Sequence, residues 1–236
     1  MIRTSCLPLI QRAEQYGDRI AITDAQGSYT YQDLLAASAR VATALLAGRA
    51  DLNEERVTFL LSPGFPWVAT QWGIWRAGGI AVPLPLNSAK PELEYFIGDT
   101  KTSTLVFDAA SASLIQPIAE AAQCRAFSYE ALRAQAPATL PEIASARRAM
   151  ILYTSGTTSK PKGVVTTHDN IAAQISTLVR AWEWSREDHS VLCLPLHHVH
   201  GIINVLSCAL WSGGACRMLP RFDANAVWDF IADGTT

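Results

Sequence analysis

Five hydroxyls, two glycines and two lysines crowd into one short stretch, Thr154 to Gly163, read Thr-Ser-Gly-Thr-Thr-Ser-Lys-Pro-Lys-Gly. The apolar run Met150 to Tyr153 predicts a buried strand that opens directly into this loop. The hydroxyls of Thr154, Ser155, Thr157, Thr158 and Ser159 are hydrogen-bond donors, and Gly156 and Gly163 let backbone N–H groups approach an anion. Lys160 and Lys162 add point charges, so the set suits a polyphosphate. Pro161 limits the loop's freedom. The spacing is not G-x-x-x-x-G-K-[ST], because the second glycine follows Lys162 instead of preceding it. G-x-G-x-x-G is absent as well, which removes support for a nicotinamide or flavin site. The plain alternative is a solvated linker of the same composition.

A second stretch able to do chemistry runs from Leu194 to Gly201, Leu-Pro-Leu-His-His-Val-His-Gly. In an extended chain His198 and His200 point to one side and His197 to the other. A metal site is disfavoured, since no carboxylate stands nearby and the spacing fits no zinc pattern. For His197 a structural role, with ring nitrogens bonded to backbone, is the competing reading.

The elements that position these stretches alternate. A helix is expected over 7–16, strands over 20–23 and 28–31, and a long helix over 31–46 capped by Thr30 with Asp33 three residues on. Strands at 56–61, 80–84 and 103–108 alternate with helices at 66–77, 91–100 and 112–122. Strands apolar nearly throughout and joined by helices imply a mostly parallel sheet covered on both faces, an α/β fold. The Ala, Pro, Glu and Arg stretch from Ala134 to Arg148 is the expected boundary between a first subdomain, 1–145, and the start of a second, 146–236. Beyond it come a helix over 168–184, a strand over 190–194, a helix over 201–210, a strand over 215–219 and a last helix from Asn225.

With 236 residues and a formal net charge of −2, spread fairly evenly, nothing in the sequence suggests a surface for nucleic acid or anionic membrane. No run reaches the length of a membrane span, and the N-terminus lacks a secretory core, so a cytoplasmic location is expected. The 5 cysteines, odd in number and without C-x-x-C spacing, argue against a disulfide framework or zinc site.

Tyr153 to Gly163 closely resembles the signature loop of the adenylate-forming, AMP-binding acyl-CoA synthetase family, with Ser159 where the family usually has glycine. Pro195, Leu196, His197, His198 and Gly201 resemble that family's next shared motif, and His200 makes the segment similar to the malonyl-CoA synthetases. Gly27 to Leu35 and Ala77 to Asn87 also look like family segments. The resemblance implies the N-terminal part of the adenylate-forming fold, mostly parallel sheets flanked by helices. It implies phosphate binding by Thr154, Ser155, Gly156, Thr157, Thr158, Lys162 and Gly163. His198 would contact the reacting carboxylate or its adenylate, and His200 would help accept the distal carboxylate of malonate. Arg217 and Arg221 are local candidates for the arginine that the family places further along. The implied reaction uses ATP, Mg²⁺, CoA and a carboxylic acid and needs no protein-bound metal, nucleophile triad or membrane span. The family's adenine, ribose, hinge and C-terminal segments are not found, so a truncated and inactive part is expected. The alternatives are a medium-chain fatty or aryl acyl-CoA synthetase and a non-catalytic nucleotide-binding module.

Overall fold

The computed structural model describes residues 6–154 and 160–232. α1 (Pro8–Ala13) precedes the antiparallel pair β1 (Ile20–Asp24) and β2 (Gly27–Thr30), and α2 (Tyr31–Leu46) follows at once. β3 (Arg56–Leu60), α3 (Phe65–Arg76), β4 (Ile80–Pro83), α4 (Lys90–Asp99), β5 (Thr104–Phe107), α5 (Ala112–Ala121), β6 (Arg125–Ser128) and α6 (Tyr129–Arg133) alternate. The hairpin β7 (Arg148–Thr154) and β8 (Lys162–Thr167), then α7 (His168–Ala181) and β9 (His189–Leu192), come next. A π-helical stretch, His200–Ser207, runs into α8 (Cys208–Ser212), followed by β10 (Ala215–Met218) and α9 (Ala224–Ala232).

Among the described residues the strands form a six-stranded sheet, β6-β5-β3-β4-β7-β8, and a four-stranded sheet, β2-β1-β10-β9. Only the β1/β2 and β7/β8 pairs are antiparallel there. The expected mostly parallel α/β architecture is what is seen. Residues 134–147 carry neither helix nor strand. The boundary expected at 145 falls in this segment, and strands from both sides of it share each sheet.

β4 and β5 are buried along their whole length, as strands covered on both faces must be. α3 is buried on nearly every side, Thr70 and Gln71 included, and Trp67, Trp72 and Trp75 on it are all essentially inaccessible. Its Trp75 indole N–H donates to the Ala149 carbonyl at 2.7 Å, tying the helix to β7. α2 and α3 pack at Gly73, where an added Cβ would lie 2.5 Å from Val41 Cγ1. The Thr30 hydroxyl accepts from the Asp33 N–H at 3.0 Å and the Asp33 carboxylate accepts from the Thr30 N–H at 2.9 Å, the reciprocal cap expected for α2. Thr167 and Asn170 repeat it on α7. One core cluster runs from Leu9 and Ile22 through Trp67 and Met150 to Ile203 and Cys216, reaching both sheets.

Four elements depart from the expectation. β8 occupies residues expected as the end of a loop, and β6 and α6 lie where no element is expected. The helix expected over 201–210 begins as π-helix.

Candidate functional site

β7 ends at Thr154 and β8 begins at Lys162, and the two residues pair across the hairpin, with Tyr153 opposite Gly163. The exposed Thr154 hydroxyl reaches the Lys162 carbonyl at 3.5 Å. Ser155, Gly156, Thr157, Thr158 and the variant position Ser159 lie outside the described residues. Gly163 is a strand residue, not a turn residue. An added Cβ there would lie 3.0 Å from Ile151 Cγ2, so its missing side chain gives β7 room. The hairpin's mouth is held from α4. The Tyr95 hydroxyl donates to the Pro161 carbonyl at 2.9 Å, its ring lies 5.2 Å from the Lys160 ammonium, and the Tyr153 hydroxyl donates to Asp99 at 2.6 Å. Burial, and then the Asp99 carboxylate, push the Tyr153 phenol well above its ordinary range.

Arg147, just before β7, fixes the hairpin's base. Its guanidinium bonds both Asp51 oxygens, at 2.5 and 3.1 Å, and the Gly78 carbonyl at 2.7 Å. Burial pushes the Asp51 carboxyl up, but the Arg147 bonds and the Asn53 N–H together hold it below the usual range. His168 at the start of α7 is buried edge-on to Trp75, with ring centroids 5.5 Å apart. Burial, and then Arg147, lower its pKa to about 4, so it is neutral at pH 7.

A cleft of about 600 Å³ opens at the carboxyl ends of strands from both sheets. Leu84 and Asn87 after β4, Cys193 and His198 after β9, and Arg221 after β10 line it. Crevices outside the carboxyl ends of parallel strands are where α/β folds bind ligands. A broader groove of about 1230 Å³ along the ends of β3, β5 and β6 shares Pro63 and Pro220 with the cleft.

The histidine segment is not extended. Pro195 to His198 is a turn, with the His198 N–H 3.4 Å from the Pro195 carbonyl, and the π-helical stretch follows. The turn explains the spacing of Pro195 and Gly201, because a Cβ on Gly201 would lie 2.7 Å from the Pro195 carbonyl oxygen. It also changes which histidines meet. His197 and His198 both line the cleft with ring centroids 4.1 Å apart, whereas His200 does not line it. His200 Nδ1 lies 3.1 Å from Asn204 Nδ2, and the Asn204 carbonyl oxygen accepts from Gln174 on α7 at 2.9 Å. An amide N–H facing Nδ1 makes that nitrogen the acceptor, so the neutral ring carries its proton on Nε2. Burial, and then the neighbouring His198, lower the His197 pKa to about 4. Arg221 lines the cleft, while the Arg217 guanidinium sits 3.5 Å over the Phe230 ring.

Among the described residues no cluster of three or more His, Cys, Asp or Glu is placed to hold a metal ion, and no helix is long and apolar enough to cross a membrane. Sequence reasoning missed Tyr95, Asp99, Asn87 and Cys193. Only the Tyr95–Asp99 spacing, one helical turn, hints at a shared face.

A family model described as AMP-binding enzyme matches residues 9–234. The chain is 41% identical over 239 residues to the mitochondrial malonate-CoA ligase of Bos taurus, covering 96% of this chain and 41% of that protein. It is 32% identical over 243 residues to the malonate-CoA ligase of Arabidopsis thaliana, covering 89% of this chain and 39% of that one. The crystal structure of ATP-bound MatB from Rhodopseudomonas palustris superimposes with a TM-score of 0.87 at 28% identity, over 97% of this chain and 48% of that structure. The chain thus spans about two-fifths of the curated relatives' length.

Proposed function

Because the chain belongs to the AMP-binding enzyme family, we propose that it supplies the phosphate loop and acid-binding wall of an ATP-dependent acid-CoA ligase. The single observation that carries this reading is the parallel pairing of β4 with β7. Their carboxyl ends leave the sheet side by side, β4 into the cleft wall at Leu84 and Asn87, β7 into the loop of hydroxyls and lysines. An acid in the cleft and a triphosphate on the loop thereby share one edge of the sheet.

In the proposed reaction a carboxylate oxygen attacks the α-phosphorus of ATP, brought in as its Mg²⁺ complex, and pyrophosphate leaves as the acyl-adenylate forms. The CoA thiolate then attacks the acyl carbonyl and AMP leaves, giving the thioester. Nucleophile and leaving group both come from substrates. The protein's part is therefore positioning and charge stabilisation. Thr154 to Thr158, Lys162 and Gly163 hold the β- and γ-phosphates, and Lys162 offsets charge developing on pyrophosphate. His198 contacts the reacting carboxylate or its adenylate.

Malonate is the proposed acid, in line with the two named ligases. Burying a second carboxylate without a partner costs several kcal/mol, so the cleft must supply a cation or N–H donor. Arg221 lines the wall and serves that need directly. His200 contributes only by exchanging its bond with Asn204. The second reading, a medium-chain fatty or aryl acid, is favoured by the continuity of the cleft with the broader groove at Pro63 and Pro220, which gives a longer acid room.

Pyrophosphate release is the test, with ATP, Mg²⁺ and CoA against malonate, methylmalonate, acetate, octanoate and benzoate, in the longest natural polypeptide that carries this sequence. Preference for malonate that is lost in His200→Phe or Arg221→Ala upholds the dicarboxylate reading, and preference for octanoate or benzoate replaces it. We propose further that the 236-residue chain alone turns over little or no ATP. Turnover by it at the rate of an ordinary acid-CoA ligase would overturn that. Imaging of a tagged protein decides between the expected cytoplasmic location and the mitochondrial one of the bovine relative.

A further inference from the structure

The outgoing arm of the phosphate loop, Lys160 to Lys162, contains a proline at its centre. Pro161 has no N–H, so its carbonyl is the polar backbone group by which that point can be tied down. The tie comes from α4, where the Tyr95 hydroxyl donates to the Pro161 carbonyl at 2.9 Å. The same ring lies 5.2 Å from the Lys160 ammonium. An aromatic face attracts an ammonium without cancelling its charge. One turn further along α4, Asp99 accepts from the Tyr153 hydroxyl at 2.6 Å, beside Thr154 on the incoming arm. Tyr153 also stands edge-on to Tyr95, with centroids 6.1 Å apart, and packs on Phe96 at 4.3 Å. Residues four apart lie on one helix face, so a single face of α4 grips both arms of the hairpin. Filling space there would need only an apolar ring. The hydroxyl, aimed at a proline carbonyl, is what packing leaves unexplained.

We infer that Tyr95 is a positioning residue for the cationic arm of the phosphate loop, fixing Pro161 through its hydroxyl and Lys160 through its ring, so that Lys160 and Lys162 present their charges to the nucleotide. The inference rests on the phosphate-loop reading above. Tyr95 touches no reacting atom, and its contribution falls on ATP binding, not on the acid.

The test is steady-state kinetics of Tyr95→Phe, Tyr95→Leu and Lys162→Ala in the longest natural polypeptide that carries this sequence, with thermal melting alongside. Tyr95→Phe keeps the ring and removes one neutral hydrogen bond, so the KM for ATP rises about 3- to 10-fold. The KM for the acid and the melting temperature stay near wild type. Tyr95→Leu removes the ring as well and raises the KM for ATP further. Should Tyr95→Leu fail to fold, Tyr95→Phe still decides. An unchanged KM for ATP in Tyr95→Phe, or parallel rises for ATP and acid with a lowered melting temperature, overturns the inference and leaves Tyr95 a packing residue. An unchanged KM for ATP in Lys162→Ala instead overturns the phosphate-loop reading, whatever the Tyr95 variants do.

Discussion

Gly201→Ala asks whether the turn that shapes the cleft depends on a missing methyl group. The added Cβ would lie 2.7 Å from the Pro195 carbonyl oxygen and 3.4 Å from Leu194 Cβ. The first distance is shorter than carbon and oxygen tolerate, and a backbone carbonyl cannot swing aside as a side-chain tip does. Either the Pro195–His198 turn or the π-helical stretch must shift. Overpacking of this kind costs about 1–3 kcal/mol. Against it, alanine in place of glycine within a helix gains about 1 kcal/mol. The net expectation is about 1 kcal/mol of destabilisation, seen as a melting temperature lower by about 2–4 °C for a chain of this size. His198 lines the cleft from that turn, so the KM for the acid rises while the KM for ATP holds. Thermal melting and acid-dependent pyrophosphate release measure the two effects. A variant that melts higher than wild type with an unaltered acid KM would refute the reasoning, because helix propensity would then be the larger effect and the Pro195 contact unimportant.

Acid sensitivity should follow His168. Its folded pKa of about 4 lies below the ordinary 6.5, so the unfolded chain binds the extra proton between those values. Stability contributed by the neutral ring is present above pH 6.5 and is lost as pH falls toward 4, by up to about 3 kcal/mol. Urea unfolding of His168→Phe across that range should show a flatter pH dependence than wild type; equal slopes would remove His168 from the account. Arg147→Ala leaves the partly buried Asp51 carboxylate and the Gly78 carbonyl without this partner, and should cost about 1–3 kcal/mol in denaturant unfolding. A change under about 0.5 kcal/mol would mean that solvent replaces the guanidinium freely. Arg221→Ala should raise the KM for malonate about tenfold or more while leaving that for acetate or octanoate within about twofold, the pattern of a lost charge-assisted bond to one substrate only. Equal changes for both acids would place Arg221 outside the specificity pocket.

Most of the fold was legible because its signals are local. Thr30 and Asp33 form the cap that their spacing announces, and the apolar runs of β3, β4 and β5 became the buried parallel strands. What escaped was set from a distance or lacked contrast. In β8 both Val164 and Val165 are 48% exposed, so the edge strand shows no alternation and reads as the end of a loop. β6 is short and half exposed, with no apolar run to mark it. The π-helical geometry bonds the Cys208 N–H to the Ile203 carbonyl, a five-residue step that no 3.6-residue stripe reports. The hydroxyls and lysines of residues 154–163 were plain from composition, whereas the bond from Tyr95 to the Pro161 carbonyl links positions 66 apart and has no sequence signal. The three histidines sort differently from those of an extended chain because Pro195 begins a turn.

The pairing of β1 with β10 bears on how the protein is made. Ile22 lies opposite Cys216, and that separation takes about 10 to 40 s to synthesise at ordinary elongation rates. β3 to β6 need only neighbouring β-α-β segments and can assemble on the ribosome in that interval. The first hairpin, β1 and β2, must wait with one backbone edge unpaired until β10 emerges to lie between β1 and β9. Among the described strands, β1 and β2 are thus sealed only when β10 has been made. During that interval chaperone protection matters most, and slowing translation between β8 and β10 should raise the aggregated fraction of newly made protein.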